Sequence, residues 1–175
     1  MHLGAKAILL GTLFVAPSVA NATFIGSTLL GEYSTDLSAP AWCSSTSVVG
    51  PGVEFECPGP FKVDVSDHQI LYTLSGFEHF GDSPFNGFIL SDASESVPDI
   101  VAVAIAATTL IGFDHSRIWF DSDIIRVNFA GLHMPDLSMS ALLEVTFASI
   151  PEPGSLALLG LGFAGLGLSQ RRRAG

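Results

Sequence analysis

Asp121 and Asp123 flank a single serine, a carboxylate spacing with which a calcium site could begin. Calcium takes roughly six to eight oxygens, with several carboxylates and loop carbonyls among them. Asp64 and Asp67 sit near a second turn in similar fashion. The EF-hand pattern is absent, and the simpler reading is a hairpin turn whose aspartates hold backbone N–H groups. No metal or other cofactor is therefore assigned, and calcium at Asp121 and Asp123 is kept as the alternative. His115 beside Asp114 and His68 beside Asp67 offer acid–base pairs; both read as solvated loop residues. Nucleophilic catalysis has no Gly-x-Ser-x-Gly elbow, zinc chemistry no His-Glu-x-x-His, and phosphate binding no Gly-rich loop ending in lysine. Glycoside hydrolysis needs two carboxylates at a set separation in space, and many acids give no way to choose them. No catalytic residue is assigned.

Sugar stacking is the other chemistry on offer. Trp42, Trp119, Tyr33, Tyr72 and thirteen phenylalanines could build a platform, though most phenylalanines belong in a core. Trp119 and Phe120 are neighbours in a strand, so one of them faces outward unless both faces are covered. Packing of Trp119 on the segment between Cys43 and Cys57 is the favoured expectation.

The elements that must position these residues are strands. Phe61, Val63 and Val65 alternate with polar residues, and Ile70, Tyr72 and Leu74 repeat the pattern. Phe85 to Leu90, opened by Pro84, is an aromatic strand candidate. Ile100 to Leu110 reads as one long buried strand or two. Arg117 to Phe120 and Ile124 to Phe129 make a hairpin around Asp121-Ser122-Asp123. Leu143, Val145 and Phe147 mark a last strand. Turn residues punctuate these runs, which argues for an all-β, antiparallel β-sandwich or jelly-roll-like domain.

Both ends carry sorting information. Lys6, the apolar run Ala7 to Val15 and the small-x-small site Ala20-Asn21-Ala22 form a signal peptide. Cleavage by signal peptidase after Ala22 starts the mature chain at Thr23. At the other end stand Pro151-Glu152-Pro153, an apolar Gly/Leu/Ala segment and Arg171, Arg172 and Arg173. As a helix, residues 154–169 would span about 24 Å at ~1.5 Å per residue, short of a hydrocarbon core of roughly 30 Å. Gly154, Gly160, Gly162, Gly165 and Gly167 weaken that helix further. A segment held briefly in the membrane tolerates both defects. The arginines place the C-terminus in the cytoplasm and the body outside. The order is thus signal peptide 1–22, β-sandwich ectodomain 23–149 and sorting region 150–175, with a helix expected in each flanking segment.

Export makes the two cysteines a disulfide candidate, Cys43 to Cys57. It would close a Ser/Gly/Pro-rich segment and contribute on the order of 3 kcal/mol. About 128 mature residues suffice for one stable core. Between Thr23 and Ile150, three basic residues against sixteen acidic ones leave a net charge of −13. Such a surface repels nucleic acid, so no nucleic-acid partner is expected.

The motif, segment and arginine cluster together resemble the PEP-CTERM sorting domain. The matching residues are Pro151, Glu152, Pro153, Gly154, Ser155, the run Leu156 to Gly162, and Arg171 to Arg173. Phe85 to Phe88, Ser116 to Phe120 and Val127 to Leu132 resemble ectodomains that precede such tails. The resemblance implies an exosortase-like membrane enzyme that recognises the motif and removes or replaces the tail. It also implies transient inner-membrane insertion, then display at the cell surface or in the extracellular matrix. The expected role is a non-catalytic surface or matrix protein associated with exopolysaccharide. A carbohydrate- or calcium-binding adhesin module and a secreted hydrolase are the alternatives.

Overall fold

The computed structural model describes residues 22–57, 61–76, 79–136 and 138–149. The expected signal-peptide helix with Ala20, the Pro151-Glu152-Pro153 motif, the segment 154–169 and Arg171 to Arg173 lie outside the described residues.

Ten strands form among the described residues: β1 (Thr28–Ser34), β2 (Cys43–Val48), β3 (Val53–Cys57), β4 (Phe61–Val65), β5 (Gln69–Ser75), β6 (Gly87–Asp92), β7 (Ile100–Thr108), β8 (Ile118–Phe120), β9 (Ile124–Asn128) and β10 (Ser138–Phe147). One 3-10 turn, His115–Arg117, precedes β8. The strands build two five-stranded sheets, β2-β1-β6-β9-β8 and β3-β4-β5-β10-β7. Every neighbouring pair is antiparallel. The fold is all-β, as the alternating runs require.

Period-two alternation fills the space between the sheets. Phe61, Val63 and Val65 of β4, Ile70, Tyr72 and Leu74 of β5, and Leu143 and Val145 of β10 are buried. From the other sheet come Phe88 and Leu90 of β6, with Ile125 and Val127 of β9. Burial of each such side chain contributes ~1.5–3 kcal/mol. Phe61 joins the aromatic layer of the core, with ring centroids 5.3 Å from Tyr33, 5.4 Å from Phe88 and 5.7 Å from Phe129. Gly31 in β1 leaves room for these rings. A Cβ there would come within 2.7 Å of both the Phe55 and Phe88 rings.

Three findings differ from the sequence reading. The segment between the cysteines is not a tied loop; it contains β2 and β3, which belong to different sheets. The aromatic strand begins at Gly87 rather than Phe85, because Ser83 to Asn86 turn first, with the Ser83 hydroxyl donating to Phe85 O at 2.6 Å. The run from Ile100 is a single strand, but it is not buried. β7 is an outer strand of its sheet, so only Ile100 is buried while Val103 and Ile105 pack partly on the core. Two register shifts against β10 interrupt this apolar edge, and such bulges turn an edge away from unwanted pairing.

Candidate functional site

The acidic candidates are engaged locally. Asp121 Oδ1 accepts the N–H groups of Asp123 at 2.9 Å and Ile124 at 3.0 Å. Asp123 accepts the Ser122 hydroxyl at 3.0 Å. This is the turn-holding arrangement, and it explains the spacing of the pair by turn chemistry. Asp114 caps the 3-10 turn, accepting the Ser116 hydroxyl at 2.6 Å and its N–H at 2.9 Å. Those two bonds, the hydroxyl first, hold its carboxyl below the usual range. Asp67 accepts the Thr23 hydroxyl at 2.9 Å, and the neighbouring His68 ring lies 5.6 Å from that of Phe147. Among the described residues no three His, Cys, Asp or Glu side chains converge on one point. A pocket lined by Phe24, Leu90, Asp92, Asp123 and Ile125 has room for about one water molecule.

Cys43 and Cys57 are joined, with Cα atoms 5.7 Å apart. The bond links the first residue of β2 to the last of β3, across the sandwich at one edge. Trp119 does not reach it. Trp119 sits on β8, the opposite outer strand of its sheet, which overturns the expected packing against the cysteine segment.

What the structure brings together instead is a row of side chains on the solvent face of the first sheet. The registers align Ser44, Glu32, Ile89, Arg126 and Trp119 across all five strands. The Arg126 guanidinium lies over the Trp119 ring, 4.4 Å from its centroid, a favourable cation–π geometry. Ser44 and Glu32 are hydrogen-bonded at 3.5 Å. Trp42 immediately precedes β2. Its N–H donates to Tyr33 O at 2.8 Å, so Trp42 and Cys43 both oppose Tyr33, as in a bulge at the end of this outer strand.

Both tryptophans of the chain are exposed at the outer strands of this sheet, 78% for Trp42 beside β2 and 48% for Trp119 in β8. Four strand spacings separate their strands, about 19 Å. The charges in that row, Glu32 and Arg126, cancel. The strands of the other sheet carry Glu54, Glu56, Asp64 and Glu144 off the core, against Lys62 alone, with Glu56, Lys62 and Glu144 exposed and Glu54 and Asp64 partly so. Of the remaining aromatic candidates, Tyr72 is buried, and Tyr33 is half-buried with its hydroxyl donated to Asn86 Oδ1 at 2.6 Å. Sequence alternation located Trp119 as a candidate.

The two ends of the body meet. Phe24, two residues past the expected cleavage site, is buried with its ring 4.8 Å from Phe147. The chain leaves the sandwich there: Ala148 N–H donates to Asp99 O at 2.8 Å, and Pro151 follows three residues later.

A family model for the PEP-CTERM protein-sorting motif matches residues 149–173. No curated protein and no solved structure matches the chain. The matched span contains Pro151-Glu152-Pro153, the apolar segment and the three arginines. The chain therefore carries a PEP-CTERM sorting motif, the C-terminal signal of an exosortase-sorted extracellular protein.

Proposed function

We propose that this protein is a non-catalytic surface or matrix component that holds neutral extracellular polysaccharide on the outer face of the β2-β1-β6-β9-β8 sheet. The reading is carried by Trp119, exposed on that face with the Arg126 guanidinium over its ring, and by the exposed Trp42 beside the sheet's other outer strand. Indole rings offer flat apolar surface to the C–H face of a sugar, while Glu32, Ser44 and Arg126 offer hydrogen bonds between them. The charges in the row cancel, whereas the body as a whole carries −13, so an anionic chain is repelled and a neutral one is not. The non-catalytic reading is supported by the engagement of Asp114 and Asp121 in capping and turn bonds. Signal peptidase would release the N-terminus after Ala22. The arginines would hold the C-terminus in the cytoplasm while the exosortase acts at Pro151-Glu152-Pro153.

The test is co-sedimentation of the detergent-solubilised full chain with the polysaccharide of the producing cells, with cellulose and chitin as neutral probes and alginate as the anionic one. Retention on a neutral polymer, weakened about tenfold or more by Trp42→Ala and by Trp119→Ala, supports the reading. Equal retention of the double variant, or retention on alginate alone, overturns it.

A further inference from the structure

We propose that His79 and His133 form a two-imidazole clip for a divalent transition-metal ion of the copper, nickel and zinc group. The two residues pair as an isolated antiparallel bridge outside the ten strands. Their approach is set by the turn that precedes His133. Leu132 N–H donates to Phe129 O at 3.0 Å, closing a turn whose third residue, Gly131, has φ +69°. Gly131 N–H donates to Phe80 O at 3.1 Å, and Phe80 N–H donates to Leu132 O at 2.9 Å. Two residues thus oppose one, with a left-handed glycine first, which is a G1 bulge. Glycine occupies that position because other residues rarely adopt it.

The consequence falls on the next pair. Phe80 and Leu132 exchange the ladder bond, so His79 and His133 form the non-hydrogen-bonded pair in which side chains stand closest, with Cα atoms roughly 4.5 Å apart. Phe80 and Leu132 are buried. Alternation therefore sends both histidines to the opposite, solvent side, where both are exposed. Two neighbouring imidazoles with free access are the donor set that copper(II), nickel(II) and zinc accept, copper(II) most tightly. No third His, Cys, Asp or Glu joins them among the described residues, so water or an outside ligand completes the coordination. The strongly acidic body raises the local concentration of cations.

The test uses the full chain in detergent, without a histidine tag and with His2→Ala to remove the histidine of the leader. Copper(II) is titrated and followed by calorimetry and electron paramagnetic resonance. The expected result is one tight copper per chain whose spectrum shows two coordinated nitrogens. His79→Ala and His133→Ala each weaken it about tenfold or more, and the double variant weakens it further. Both residues are exposed, so all three variants should keep the wild-type melting temperature, which the same samples report. Gly131→Ala moves the bulge and weakens binding without removing a ligand. Loss of similar size in His68→Ala or His115→Ala, or an unchanged two-nitrogen spectrum in the double variant, overturns the assignment.

Discussion

Cys43 and Cys57 belong to different sheets, and their bond fastens β2 to β3 at the edge where the chain passes from one sheet to the other. The link therefore restrains separation of the two sheets. Cutting it with a Cys43→Ala/Cys57→Ala pair should cost about 3 kcal/mol and roughly 10 °C in melting temperature. Calorimetry with and without reductant checks this. A shift under about 2 °C would mean that the core alone holds that edge closed.

Tyr72 is wholly buried, and its hydroxyl has no hydrogen-bond partner among the described residues. Burial pushes its ionisation well above the ordinary tyrosine range. Removing an unsatisfied buried hydroxyl is neutral or favourable. Tyr72→Phe should therefore be as stable as the wild type or gain about 1 kcal/mol in urea unfolding. A loss of more than about 1 kcal/mol would place a bound water on that hydroxyl.

Gly31 marks where β1 passes beneath Phe55 and Phe88. Those rings are held between the sheets and have little freedom to retreat. Gly31→Ala should cost about 1–3 kcal/mol through overpacking, despite the better strand propensity of alanine. Urea unfolding with an unchanged midpoint would show that the aromatic layer yields.

Asp36 and Asp114 both have carboxyls held below the ordinary range, Asp36 by the Ser38 N–H and then its hydroxyl, Asp114 by the Ser116 hydroxyl and then its N–H. A carboxyl depressed in the folded state stabilises above its unfolded pKa of about 3.9, and the contribution fades as pH falls through the folded value. Both groups are fully exposed, so the effect is small. Asp114→Ala should lower the melting temperature at pH 7, and the gap should narrow below about pH 3. A gap of constant size down to pH 2 would assign the loss to packing instead.

The strands that sequence revealed are those with one buried face. Phe61–Val65 and Ile70–Leu74 alternate because they lie mid-sheet, and Asp121-Ser122-Asp123 announced its hairpin by turn chemistry. β2 stayed hidden because an outer strand reading Cys-Ser-Ser-Thr-Ser-Val has no apolar row. β1 stayed hidden because Gly31 occupies an inward position where a large residue would have completed the pattern. Ile100–Thr108 misled in the other direction, since alanine and valine on an exposed edge resemble a core strand in composition. The histidine pair was illegible because a bulge around Gly131, not local spacing, brings His133 opposite His79.

The C-terminal motif marks the sandwich for delivery outside the cell. Intact-mass analysis of cell and medium fractions tests it, in a host carrying the sorting enzyme and in a matched host lacking it. A species that begins at Thr23 and ends near Pro151-Glu152-Pro153 is expected only where the enzyme is present. The same full-length C-terminus through Arg173 and Gly175 in both hosts would contradict it and make the tail a plain anchor.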